Sequence, residues 1–312
     1  MYAYGEPPAD NLRIWTLHGL GQDTRRERRL FDLVVMVDWS AASDRGPAAP
    51  AENRCWVAWG TPDERPAPEY FRTRWDAERF VQDLLVGGPR RALVCFDFPY
   101  GYPDGSGLGG GRVLAARLAR LIEDDKTGVN NRFEVAAALN AELGDGGPGP
   151  FWGCPPAKAT KILTRHKPPF DGRGFGEWRI VDQRLRSRGI QSSWKLYGIG
   201  SVGSQTLVGL PAVHRLLTAP ELADRSRLWP FETGWDEFLD GIIHAEIWPS
   251  LGDVEGQPYA IKDARQVAAM RDWVLELDGS GALGRWFAPP AGLNRREERI
   301  CRRHEGWILG VG

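Results

Sequence analysis

Residues 33–40 read LVVMVDWS, a short apolar run rich in β-branched residues that ends on an acid. This is the pattern of a buried strand that delivers one carboxylate to its C-terminal end. Residues 91–101, RALVCFDFPYG, repeat it with Asp97, and residues 241–251, GIIHAEIWPSL, repeat it with Glu246. Between the first two runs, CWVAWG (55–60) and EYFRTRW (69–75) read as further strands joined by Pro- and Gly-rich turns. DAERFVQDLLV (76–86) then reads as a helix, with Phe80 and Leu84 spaced i, i+4 beside Leu85 on one stripe.

Beyond Asp97, a glycine-rich loop (101–111) precedes a helical period over 113–122. Asn131 with Glu134 three residues on predicts an N-cap for a helix FEVAAALNAEL, and residues 144–150 break the chain. A helix is expected over 205–217, and Thr218 with Glu221 predicts a second capped helix, Trp-rich and running to Leu239. The last helix starts at 262 with Asp263 in its first turn, and EGWILG closes the chain. Three strands, a helix, a strand, helices, a strand and a helix is the order of an α/β fold of RNase H-like type. The expectation is therefore a mixed sheet with flanking helices and a basic, aromatic-rich insertion before the fifth strand. Residues 1–32 read as an N-terminal extension, and 33–312 as a single domain with its insertion at about 144–240.

The 312 residues, 42% hydrophobic and 26% charged, exclude disordered, collagen-like and disulfide-stapled classes. No secretory leader and no stretch of about 18 apolar residues is present, so the reading is cytoplasmic, with no membrane partner. Cys55, Cys95, Cys154 and Cys301 make no CxxC pair, so reduced, buried thiols are expected. A net charge of −1 excludes a basic field over the whole molecule, but residues 151–195 carry ten Lys or Arg against three Asp or Glu. Phe151, Trp152, Phe170, Phe175, Trp178 and Trp194 are interleaved there. Lys158, Lys161, Arg165, Lys167 and Lys195 are the candidate phosphate contacts of a single-strand surface; the alternative is ordinary surface charge over core aromatics.

Asp38, Asp97, Glu246 and Asp263 are the candidate catalytic and metal-ligating acids. Mg²⁺ and Mn²⁺ take oxygen ligands, and acids from distant strand ends can converge on such an ion. The alternative is separate structural roles, with Asp38 and Asp97 capping turns and Asp263 facing a helix dipole. His244, on the same strand face as Glu246, is either a supporting partner of the acids or a core histidine; Lys262 adjoins Asp263. Residues 198–203 (GIGSVG) spell GxGxxG, so Gly200, Ser201 and Gly203 are candidates for phosphate contact at a helix start, against a plain glycine bend. No GxxxxGK[ST], GxSxG or HExxH occurs, which disfavours P-loop, serine-hydrolase and zincin chemistry.

The blocks VVMVDWS, CFDFPYGYP, NNRFEVAAALN, FWGCPP, GIGSVGSQTL, AEIWPSL, IKDARQ and EGWILGVG resemble a bacterial family of unknown function. Its broader superfamily is described as predicted nucleases of RNase H-like fold, and some similar proteins carry a label for molybdopterin guanine dinucleotide synthesis. The superfamily looks like it carries Asp-Ala-x-Asp-Ala on its last helix, where this chain has Asp263-Ala264-Arg265-Gln266-Val267. The resemblance thus implies one metal position, with Glu246 or Glu78 as candidates to complete a second.

The leading expectation is a divalent-metal-dependent phosphodiester hydrolase using Mg or Mn, with nucleic acid or a nucleotide-like phosphodiester as partner. The alternatives are a nucleotide- or pterin-binding protein of molybdenum cofactor synthesis, and a non-catalytic nucleic-acid or partner-binding module.

Overall fold

The computed structural model describes residues 29–312 except 145 and 238. Residues 1–28, most of the expected N-terminal extension, lie outside the described residues.

Strands β1 (Leu33–Asp38), β2 (Cys55–Gly60), β3 (Glu69–Phe71), β4 (Ala92–Phe96), β5 (Ser226–Leu228) and β6 (Ile242–Glu246) form one mixed sheet in the order β3-β2-β1-β4-β6-β5. β2 is antiparallel to β1 and β3; β1, β4, β6 and β5 run parallel to one another. The central strands are buried on both faces, which is why they read as continuous apolar runs rather than alternating ones.

Helices α1 (Arg74–Gly87), α2 (Gly111–Leu121), α3 (Arg132–Leu143), α4 (Ile180–Leu185), α5 (Val202–Thr218), α6 (Lys262–Gly279) and α7 (Arg295–Ile300) complete the frame. Val35, Val37, Val94 and Phe96 pack under α1, α2, α3 and α5. Their alternates Val34, Met36, Leu93 and Cys95 pack under α6 and the C-terminal residues Trp307 to Leu309. Asp278 of α6 fixes the start of the described chain by accepting from the Leu30 and Phe31 N–H groups. No helix among the described residues is long and apolar enough to cross a membrane, and the four cysteines are buried and unbridged.

Several local expectations are corrected. The buried stripe of α1 is Ala77, Val81 and Leu85, with Phe80 and Leu84 only partly covered. Thr73 caps that helix by accepting from the Asp76 N–H. Asn131 precedes α3, but its side chain binds Glu123 N and Leu121 O, and Glu134 pairs with Lys158, so no reciprocal cap forms. Thr218 is the last residue of α5, and no helix follows it; turns and β5 occupy the region read as a Trp-rich helix. Within 144–240, α5 packs along α2 and β5 extends the sheet. Residues 151–195 make the excursion, and they have their own aromatic centre, where Trp194 lies 4.6 Å from Tyr102 and 5.0 Å from Phe151 between ring centroids.

Candidate functional site

The parallel register pairs Val37 with Phe96, so one residue further along Asp38 stands beside Asp97. Alternation turns both toward the side of Met36 and Cys95, the face covered by α6. Both line one cleft, with Gly200, Val202 and Gln205 of the α5 start on one side and Trp248, Ser250 and Gln266 on the other.

Asp97 is held. Its Oδ1 accepts from Trp39 N–H at 2.7 Å and its Oδ2 from Gln205 Nε2 at 2.9 Å, and the same amide donates to Trp39 O at 2.5 Å. Burial nonetheless pushes this carboxyl up to about 7, against those hydrogen bonds and with help from the Asp263 charge. Asp38 receives no hydrogen bond or ion pair from any described residue. Burial, then the neighbouring Asp97 and Asp263 charges, drives its carboxyl well above the usual range, and Lys262 opposes them only in part. The two carboxylates form an acid pair whose charges the surrounding residues offset only in part.

Asp263 lies in the first turn of α6, where its Oδ2 accepts from Asn53 N–H at 2.6 Å. It acts on Asp38 and Asp97 through its charge but does not line the cleft with them. Among the described residues no group of three or more His, Cys, Asp or Glu side chains is arranged to hold a metal ion. The expected four-acid cluster is thus an adjacent pair with a third acid nearby.

Glu246 is corrected as a ligand. Its register partner is Phe96, not Asp97, so the pleat sends it to the opposite face. There Arg179 donates to both of its oxygens, at 2.6 and 2.7 Å, and pairs with Asp182 as well. The three groups are almost wholly buried and form one wall of the cleft. Sequence reading missed Arg179 because its role is set by Glu246, 67 residues away on β6, as well as by Asp182 three residues on. Glu78 is likewise engaged, by Arg215 at 2.6 Å. His244 does share the Glu246 face, but it is a core histidine: neither ring nitrogen has a partner, and burial, with the Arg112 charge, pushes it down to about 3, so it is neutral.

Of the basic candidates, none lines the cleft. Lys158 and Lys167 are paired with Glu134 and Glu177. Lys195 donates to Gln191 Oε1 and to Ile199 O, latching the loop ahead of α5. Lys161 and Arg165 are exposed. Phe151 and Trp194 are core residues, and the partly buried Phe170, Phe175 and Trp152 pack on them.

The GIGSVG segment does lead into a helix, but only single bridges, not a strand, precede it. Gly200 adopts φ +70° and lines the cleft. Ser201 is the N-cap position of α5 without a side-chain cap bond. Gly203 is a packing residue: a Cβ there would lie 2.4 Å from Ser193 O and 2.8 Å from Lys195 O.

Comparison with protein-family models, with curated proteins and with solved structures gave no match.

Proposed function

We propose that the chain is a divalent-metal-dependent phosphodiester hydrolase of RNase H-like fold, with Asp38 and Asp97 at its centre. The observation that carries this reading is the Asp38 carboxylate, which sits beside Asp97, receives no hydrogen bond or ion pair from a described residue and is offset only in part by the Lys262 charge. The strand order supports the fold assignment, since two neighbouring parallel strands end in the acids and the last long helix starts with a third.

Asp38 and Asp97 are the residues that would hold one Mg²⁺ or Mn²⁺, since these ions are commonly bound through one or two carboxylates together with water and substrate phosphate. Bound there, the ion would supply charge neutralisation at the phosphate and activation of a water nucleophile. The chain's own contribution is positioning. The Trp39 N–H and Gln205 amide fix the direction of the Asp97 lone pairs. Asp263 adds negative potential from the α6 start, and the Arg179–Glu246 wall keeps the facing side rigid.

Cleavage of labelled single- and double-stranded DNA, RNA and hybrid with Mg²⁺, Mn²⁺ or EDTA, beside Asp97→Asn purified identically, tests this. Metal-dependent cutting lost in Asp97→Asn supports it. Saturable mononucleotide binding without polymer cleavage would replace it with the nucleotide- or pterin-binding reading.

A further inference from the structure

Arg132, the first residue of α3, is nine-tenths buried and has no carboxylate partner. Its Nε donates to Ser204 Oγ at 3.0 Å, and its Nη1 to Ser43 Oγ at 2.5 Å and Asn130 Oδ1 at 2.8 Å, all neutral acceptors. Nη2 has no acceptor among the described residues and is not sealed in the interior. The acids nearest in charge are already used: Asp124 is bound by Arg74 and Glu134 by Lys158. The Arg74 charge makes the balance worse, and the guanidinium is pushed down to about 10, mostly by burial. The Phe133 ring, 4.4 Å from the guanidinium carbon, and the more distant Asp124 and Glu134 charges offset this only in part. Holding a buried cation without a bound counter-ion is costly. Ser204 spends its proton on Leu196 O, so the donors left for an anion are the guanidinium Nη2 and the Ser43 hydroxyl, a set suited to a phosphate oxygen.

The place is informative as well. Ser204, which receives Nε, precedes Gln205, which holds Asp97, and Ser43 lies on the connection that follows Asp38. We propose that Arg132 and Ser43, with Ser204 holding the guanidinium in place, form an anion site for a phosphate or phosphodiester oxyanion at the α5 start, beside the carboxylate cleft. It goes beyond the hydrolase reading and stands independently of it: with hydrolysis it grips a phosphate next to the one attacked, and without hydrolysis it still binds.

The test is thermal unfolding in EDTA with inorganic phosphate titrated against chloride at matched ionic strength. Wild type should gain about 2–4 °C, saturably, in phosphate alone. Arg132→Gln should lose that response. Ser43→Asp, at an exposed position, places a carboxylate at the guanidinium; it should melt above wild type without phosphate and no longer respond to it. Asp97→Asn should respond like wild type, which separates this site from the fate of the hydrolase reading. An equal response of wild type to phosphate and chloride overturns the proposal, as does an undiminished phosphate response in Ser43→Asp.

Discussion

Both oxygens of Glu246 are held by one guanidinium, that of Arg179, at 2.6 and 2.7 Å. The pair ties the excursion at 151–195 to the end of β6 with both partners out of water. Removing the cation alone leaves Glu246 and Asp182 buried and uncompensated. Arg179→Met is expected to cost about 3–5 kcal/mol in denaturant unfolding. Glu246→Gln should destabilise in the same direction while leaving Mg²⁺ or Mn²⁺ binding unchanged, because its oxygens are not available to an ion.

The Asp38–Asp97 pair makes stability fall as pH rises. In the fold Asp97 binds its proton up to about 7, whereas the free carboxyl releases it near 3.8. Between those values the folded state holds the extra proton. Stability is therefore fullest below about pH 4 as far as this pair is concerned, and it declines through pH 7 by a few kcal/mol. Melting temperature in EDTA should decline over this range in wild type and decline less steeply in Asp97→Asn, where buried Asp38 still holds its proton. Metal should counter the decline, so its stabilising effect must grow from pH 5.5 to 8.

Gln205 is a positioning residue. Gln205→Leu removes the donor to Asp97 Oδ2 and to Trp39 O. With that hydrogen bond to the charged form gone, the acid limb of a pH–rate profile should move up by about one pH unit. Gln205→Asn, too short to span both acceptors, should behave similarly. An unmoved limb would refute this role for the amide.

Gly203 packs and does not recognise. Gly203→Ala should lower stability by about 1–3 kcal/mol, because the added methyl meets Ser193 O and Lys195 O. Once folded, the variant should bind phosphate as wild type does.

The four longer strands and the Asp263 helix were legible because burial on both faces writes itself as apolar runs and because each ends in a turn signal. β5 was not: its three residues, with Arg227 exposed between Ser226 and Leu228, carry no pattern at edge-strand length. The capping pairs at Asn131 and Thr218 misled because their side chains serve other backbone groups. In the site, Asp38 and Asp97 could be read from their strands. The fate of Glu246 depended on the pleat and on an arginine 67 residues away. The basic stretch looked like a nucleic-acid surface because sequence does not distinguish a core tryptophan from a stacking one, or a free lysine from a paired one.

The most direct measurement is Mn²⁺ binding by calorimetry for wild type, Asp38→Asn, Asp97→Asn and Glu246→Gln. Saturable binding in wild type and in Glu246→Gln, lost in both aspartate variants, is the result predicted by an acid pair that takes one ion. No binding in wild type, or binding that survives both aspartate changes, would contradict it.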